Sequence, residues 1–110
     1  KRDWGHAKDY VYAMWLINQQ KKASDYIIGT GHLNSVEDFV KKAFKHVNLN
    51  YKKYLRIDKK LMRKKDSKAR VANPAKIIKK LKWRKKFNFS KLAIDMLESD
   101  INLLKNKKRV

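Results

Sequence analysis

The sequence has no cysteine, one proline and three glycines among its 110 residues. Without cysteine the chain can form neither a disulfide nor a thiolate metal site, which fits a reducing compartment, so we expect a cytoplasmic protein. No apolar run approaches the roughly 20 residues that span a bilayer, and no signal-peptide pattern opens the chain. We therefore expect a soluble protein without a membrane partner.

Acidic residues are also scarce, since 10 of them stand against 30 lysines and arginines for a net charge of +20. Such a charge attracts polyanions, and some weak, non-specific binding of nucleic acid is expected. The excess is mostly lysine, however, and it is spread from Lys21 to Lys108. Lysine is strongly hydrated and suits a solvated surface, so the pattern favours a general charge bias over a dedicated nucleic-acid patch.

Apolar residues make up 43% of the chain and aromatic residues 11%, which is typical of a folded domain. A chain of this length can bury one modest core, so residues 1–110 are predicted to form a single domain.

Four segments carry apolar residues at the spacing of a buried helical face. Ser35 and Asp38 resemble a capping box before the second segment, and Asn73-Pro74 predicts the start of the third, with Asn73 as N-cap and Pro74 at the first helical position. The predicted helices cover 7–20, the segment from Ser35 to Val47, the segment from Pro74 to Leu81, and a last helix from near Asn88 to Leu104.

Two other segments predict strands. Tyr26 to Gly29 is a short apolar run with a β-branched pair, typical of a buried strand, and Tyr51 to Ile57 alternates apolar and charged residues like a half-exposed one. The predicted fold class is α/β, with about four helices and two or three short strands.

Most tests for catalytic or cofactor chemistry fail on this sequence. Gly29-Thr30-Gly31 resembles the start of a dinucleotide loop, but Asn34 stands where the third glycine is required. The three histidines lack metal-ligand spacing, and no tyrosine is followed four residues later by lysine. No catalytic, cofactor-binding or metal-binding residue is therefore predicted.

The opening segment, RDWGHAKDYV at residues 2–11, closely resembles a segment of the GDP-mannose 4,6-dehydratases, a family of extended short-chain dehydrogenase/reductases. Further similarities follow in the same order along nearly the whole chain. They are residues 26–31 for "vIaTG", 35–44 for "hSVreFvekaF", 58–63 for "DPRYFR", 73–76 for "DPSKA", 81–83 for "LGW" and 89–100 for the closing helix.

The resemblance implies the C-terminal, sugar-nucleotide-binding part of such an enzyme, without its Rossmann half. The family's NADP loop and its catalytic residues would lie upstream of Lys1, so this chain alone is not expected to catalyse. A complete enzyme of this kind oxidises the sugar at C4 with NADP, eliminates water across C5 and C6, and returns the hydride at C6. The implied partner is a GDP-sugar, and the open sheet edge left by the missing half favours a homo-oligomer.

The resemblance also implies a binding site. Arg2 and Arg63 match the family's two arginines that point at the nucleotide diphosphate, and Asp66 matches an acid that would face the nucleoside. The chain departs from the family's "RPaEVD" here, because Lys64 replaces the proline and Asp66 is shorter than glutamate. The loop before Tyr51 is also shorter than the family's.

Simpler interpretations stay open for these residues. Arg2 could pair with Asp3 or Asp9, and Arg63 could be one more surface cation. The tryptophans Trp4, Trp15 and Trp83 fit core or interface packing better than base stacking. The alternative function is a small basic module that binds nucleic acid or another polyanion.

Overall fold

The computed structural model describes residues 1–107. In chain order, its elements are β1 (Arg2–Asp3), α1 (Ala7–Asn18), β2 (Leu33–Asn34), α2 (Val36–His46), short 3₁₀ turns at Tyr51–Lys53 and Lys59–Leu61, α3 (Ala75–Leu81) and α4 (Phe89–Lys107). The strands pair antiparallel, with Arg2 opposite Asn34. Four helices with a short sheet confirm the predicted fold class. No helix within residues 1–107 is long and apolar enough to cross a membrane.

Side-chain caps define where the helices begin. The predicted capping box of α2 is confirmed, because Ser35 Oγ accepts the N–H of Asp38 and the Asp38 carboxylate accepts the N–H of Ser35. The start of α3 lies one residue later than predicted. Pro74 takes the cap position, while Asn73 Oδ1 accepts the N–H of Ala75 at 3.1 Å.

Lys82 ends α3 in the left-handed conformation, with φ of 56° and ψ of 26°. Left-handed backbone is usual just after a helix, where glycine adopts it without a steric penalty. Lys82 occupies the middle position of the "LGW" motif, so a lysine stands where the motif has glycine.

The core is small and has two parts. Ala13 of α1, Ile77 of α3 and Trp83 are buried together, and partly buried side chains such as Tyr10 and Leu81 pack around them. Leu92 and Ala93 are buried on α4, which packs against α2. The predicted apolar face of α3 supplies the core, but that of α1 does so only in part, because Tyr10 and Ile17 pack on the core whereas Val11 and Met14 are more than half exposed.

Both predicted strands are absent from residues 1–107. Residues 26–29 carry no ladder hydrogen bonds, and only one side of the segment is covered, since Ile28 packs on the core whereas Ile27 is 59% exposed. A strand needs a hydrogen-bonded neighbour as well as a favourable sequence, and nothing described here pairs with this segment.

Residues 51–57 begin with a 3₁₀ turn instead of a strand. Asn50 Oδ1 caps the turn through the N–H of Lys52. Tyr51 and Tyr54 are three residues apart, which is the period of a 3₁₀ turn, and Tyr54 stacks on Phe44 of α2 with ring centroids 5.6 Å apart. Packing of these rings on α2 therefore overrides the alternating pattern.

The molecule is broad and thin, with principal extents of 52 × 41 × 22 Å. Its Cα radius of gyration is 17.5 Å, whereas a compact domain of this length has about 13 Å. Much of the chain therefore lies on the surface, and many large apolar side chains are exposed.

Candidate functional site

Arg2 lies on β1 where this strand meets residues 66–70. Its Nη1 donates to the carbonyl of Ser67 at 2.6 Å and to that of Lys1 at 2.9 Å, and its Nη2 donates to Asp66 Oδ1 at 2.5 Å. A guanidinium has five N–H donors, so two are not used in these contacts. The Arg2 side chain is 41% exposed and can reach an additional acceptor.

Asp66 is the direct partner of Arg2, and the alternatives Asp3 and Asp9 both bind elsewhere. The hydrogen bond from Arg2 and the charge of Arg2 lower the pKa of the Asp66 carboxyl, and the charge of Arg63 lowers it further. Arg63 itself is exposed. The structure thus brings Arg2 and Asp66 into contact, whereas Arg63 forms no ion pair with a side chain among residues 1–107 and acts on the Asp66 carboxyl only through its charge.

Asp3 joins its own strand to two separate stretches of backbone. Its carboxylate accepts the N–H of Thr30 at 2.9 Å, that of Gly31 at 2.9 Å and that of Ala72 at 3.2 Å, as well as the hydroxyl of Thr30. Burial raises the pKa of Asp3, but these hydrogen bonds stabilise the carboxylate more, and the net pKa is lowered. Asp3 therefore fixes the strand that presents Arg2.

The turn at Gly29-Thr30-Gly31 does not fit a dinucleotide. The amides of Thr30 and Gly31, which such a loop would offer to a pyrophosphate, donate to Asp3 instead. A side chain at Gly29 would also collide with Ala72. Within residues 1–107 there is, in addition, no group of three or more side chains suited to a metal ion.

His6 and Asp9 position α1 against the start of α4. His6 Nδ1 accepts the N–H of Lys8, so its Nε2 carries the proton and donates to Asp95 at 2.8 Å. Asp9 is buried and accepts the N–H groups of Lys86 and Phe87. Sequence reasoning missed these structural roles, and also that of Asp3, because every partner except the N–H of Lys8 lies 27 or more residues away.

The tryptophans differ in their packing. Trp83 is buried, and its Nε1 donates to the Asp9 carbonyl. Trp4 stacks on Phe39 with centroids 5.2 Å apart, and Phe89 meets it edge-on. Packing is thus the role of both, whereas Trp15 is 55% exposed on α1.

Comparison with known proteins shows the family. The sequence model of the family described as GDP-mannose 4,6 dehydratase matches residues 1–96. The chain belongs to this family. Among curated relatives, the GDP-mannose 4,6 dehydratase of Dictyostelium discoideum is 39% identical over 96% of this chain, GDP-mannose 4,6 dehydratase 1 of Arabidopsis thaliana is 38% identical over 97%, and the human protein is 33% identical over 96%.

The same alignments cover only 35%, 30% and 33% of those three relatives. The chain therefore spans about a third of the length of the GDP-mannose 4,6-dehydratases that it matches. This agrees with its resemblance to the C-terminal part of the family.

Proposed function

We propose that this chain is the sugar-nucleotide-binding part of a GDP-mannose 4,6-dehydratase-like protein, and that Arg2 and Arg63 bind the diphosphate of a GDP-sugar. The observation that supports the proposal is the contact between Arg2 and Asp66, with the charge of Arg63 near the same carboxylate, at positions that resemble the family's nucleotide-binding motifs. A guanidinium matches phosphate oxygens with paired donors, so two arginines at one place suit a diphosphate.

Arg2 is held ready for this role. Three of its donors fix the guanidinium to Lys1, Ser67 and Asp66, so little side-chain freedom is lost when a ligand arrives. Asp66 also balances the charge of the cluster in the absence of phosphate. In the proposed complex, Asp66 faces the nucleoside, where its carboxylate can accept hydrogen bonds but cannot donate them.

The complete family enzyme would use NADP, but the residues of this chain do not fit the cofactor, since the glycine-containing turn binds Asp3. We therefore expect no turnover of a GDP-sugar by this chain alone. Its own chemistry is recognition of the nucleotide.

Titration calorimetry with GDP and GMP at physiological salt tests the proposal. We expect GDP to saturate one site per chain and to bind more tightly than GMP. Arg63→Ala should remove most of that preference, because each lost charged hydrogen bond costs about 1.5 to 3 kcal/mol. Arg63 is the better position to change, because Arg2 also supports the β1 strand.

Arg56→Ala is the matched control, since it removes the same charge from another exposed position in the same segment. It should leave the preference for GDP intact. An absence of saturable binding at millimolar GDP, or an equal effect of the two substitutions, would contradict the proposed site.

A further inference from the structure

A cleft of about 420 Å³ lies between residues 30–34, α2 and the segment that leads into α4. This volume falls within the range of about 300 to 1,000 Å³ that is usual for small-molecule sites. Its aromatic lining comes from Trp4, Phe87 and Phe89, and two lysines reach it from different elements, Lys42 from α2 and Lys85 from the segment before α4. No aspartate or glutamate is among the described residues that line it.

Lys85 is held in place by neighbouring residues. Its Nζ lies 3.2 Å from His32 Nδ1 and donates to the carbonyl of Thr30 at 3.3 Å. Thr30 is fixed in turn through its bonds to Asp3. One of the two ammonium groups is therefore positioned before any ligand arrives, which lowers the entropic cost of binding.

Lys42 has an unneutralised charge, as it forms no ion pair with any side chain among residues 1–107. Its neighbour Lys41 differs, because it pairs with Glu37 at 3.1 Å. The cleft thus joins two ammonium groups to a wall without carboxylates, and an anion there meets attraction without a competing negative charge.

We propose that this cleft binds a small phosphate monoester, with Lys42 and Lys85 contacting the phosphate group. A phosphate monoester carries about −1.5 to −2 charges at pH 7 and three strong acceptor oxygens, which match two ammonium groups better than a single carboxylate does. The aromatic lining accommodates the carbon part of the molecule. This cleft shares no residue with the cluster of Arg2, Arg63 and Asp66, so it goes beyond the proposed function.

Nuclear magnetic resonance titration of the full chain with ribose 5-phosphate tests the proposal. At physiological salt we expect saturable shifts confined to the amides of Lys42, Lys85, Phe89 and Ser90. The double variant Lys42→Ala/Lys85→Ala should bind about tenfold more weakly or worse, since one lost charge-assisted hydrogen bond already has this effect. Lys42→Arg/Lys85→Arg should retain most of the affinity.

The control Lys79→Ala/Lys80→Ala removes the same charge from the exposed side of α3 and should change the affinity less than twofold. Thermal unfolding of each variant checks that it folds. Equal losses in the two double variants would overturn the proposal, because net charge alone would then explain the binding.

A short oligothymidylate separates the two possible sources of phosphate. If the Lys42→Ala/Lys85→Ala change weakens oligonucleotide binding while ribose 5-phosphate shows no saturable shifts, the cleft contacts a nucleic-acid backbone and the proposal of a small ligand is wrong. Saturation by ribose 5-phosphate that persists in Arg63→Ala would show that the cleft acts independently of the GDP site.

Discussion

Asp3 shows how much one carboxylate contributes in a protein with few acids. It accepts hydrogen bonds from Thr30, Gly31 and Ala72, and so joins the first strand to two distant loops. The sequence has 30 lysines and arginines, so many cations are available to form an ion pair with any carboxylate. Asp3 makes its described contacts with backbone N–H groups and a hydroxyl instead of with a lysine.

Replacing Asp3 by asparagine should destabilise the fold, because the amide NH₂ would face backbone donors. We expect a loss of about 1.5 to 3 kcal/mol in the free energy of unfolding, measured with urea at pH 7. Asp100→Asn, at an exposed position of α4, is the control and should cost little.

The effect of Asp3→Asn on stability should also depend on pH. Because the folded state lowers the pKa of Asp3, its contribution is present above the ordinary carboxyl pKa of 3.8 and is lost as the pH falls through the lowered value. The difference in stability between the wild type and Asp3→Asn should therefore shrink on acidification. A difference that stays constant down to pH 2 would assign the effect to something other than the charge of Asp3.

At the scale of elements, local patterns predicted the helices well. The period of apolar residues identifies all four, and the Ser35–Asp38 box marks the start of α2, because helix hydrogen bonds and caps join residues close in sequence. Strands depend on a partner strand, which can lie anywhere in the chain. The apolar run at 26–29 has no partner among the described residues, while the observed strands are only two residues long and carry no alternation to detect.

The candidate site shows the same limit. Spacing alone gave no reason to connect Arg2 with Asp66, which lies 64 residues away, and only the family resemblance placed both at one site. Once the chain folds, the bridge between Arg2 and Arg70 brings the two segments side by side.

Lys82 at the end of α3 leads to a prediction about this element. A left-handed conformation costs a non-glycine residue about 1 to 2 kcal/mol, and glycine would relieve this cost. Part of the relief is offset because glycine has greater conformational freedom in the unfolded chain. Lys82→Gly should therefore stabilise the protein by about 0.5 to 1 kcal/mol in urea unfolding.

Lys80→Gly provides a control of opposite sign. Lys80 is exposed inside α3, where glycine lacks any such advantage, and its replacement should destabilise the protein by about 1 kcal/mol. If both changes destabilise the protein equally, the backbone at Lys82 is not strained as described.

At the scale of the whole molecule, more large apolar side chains are exposed than are buried in the core. Val11, Met14 and Trp15 are each more than half exposed on α1, and Ile27 is similarly exposed nearby in the chain. Contiguous apolar surface of this kind usually marks a contact with another polypeptide. It fits a chain that corresponds to about a third of its relatives.

We predict that the isolated chain associates with itself through α1. Sedimentation at micromolar concentration should show a dimer or a larger species, and Val11→Gln/Trp15→Gln should shift it toward the monomer. Ile57→Gln, at a position 81% exposed outside the helices, should leave the distribution unchanged. A wild-type chain that sediments as a monomer at 100 times this concentration would contradict the prediction.

The contacts of the first segment also determine when it can fold during synthesis. Asp3 needs the amide of Ala72, and His6 needs the carboxylate of Asp95, 89 residues further along the chain. On the ribosome, the RDWGH segment is made before nearly all of its partners and must wait for them. Long-range contacts of this kind slow folding, since a large loop must close before they form. Translation that stops before Ile77 would therefore leave the core-facing side of α1 without its partners Ile77 and Trp83 and open to chaperones and proteases.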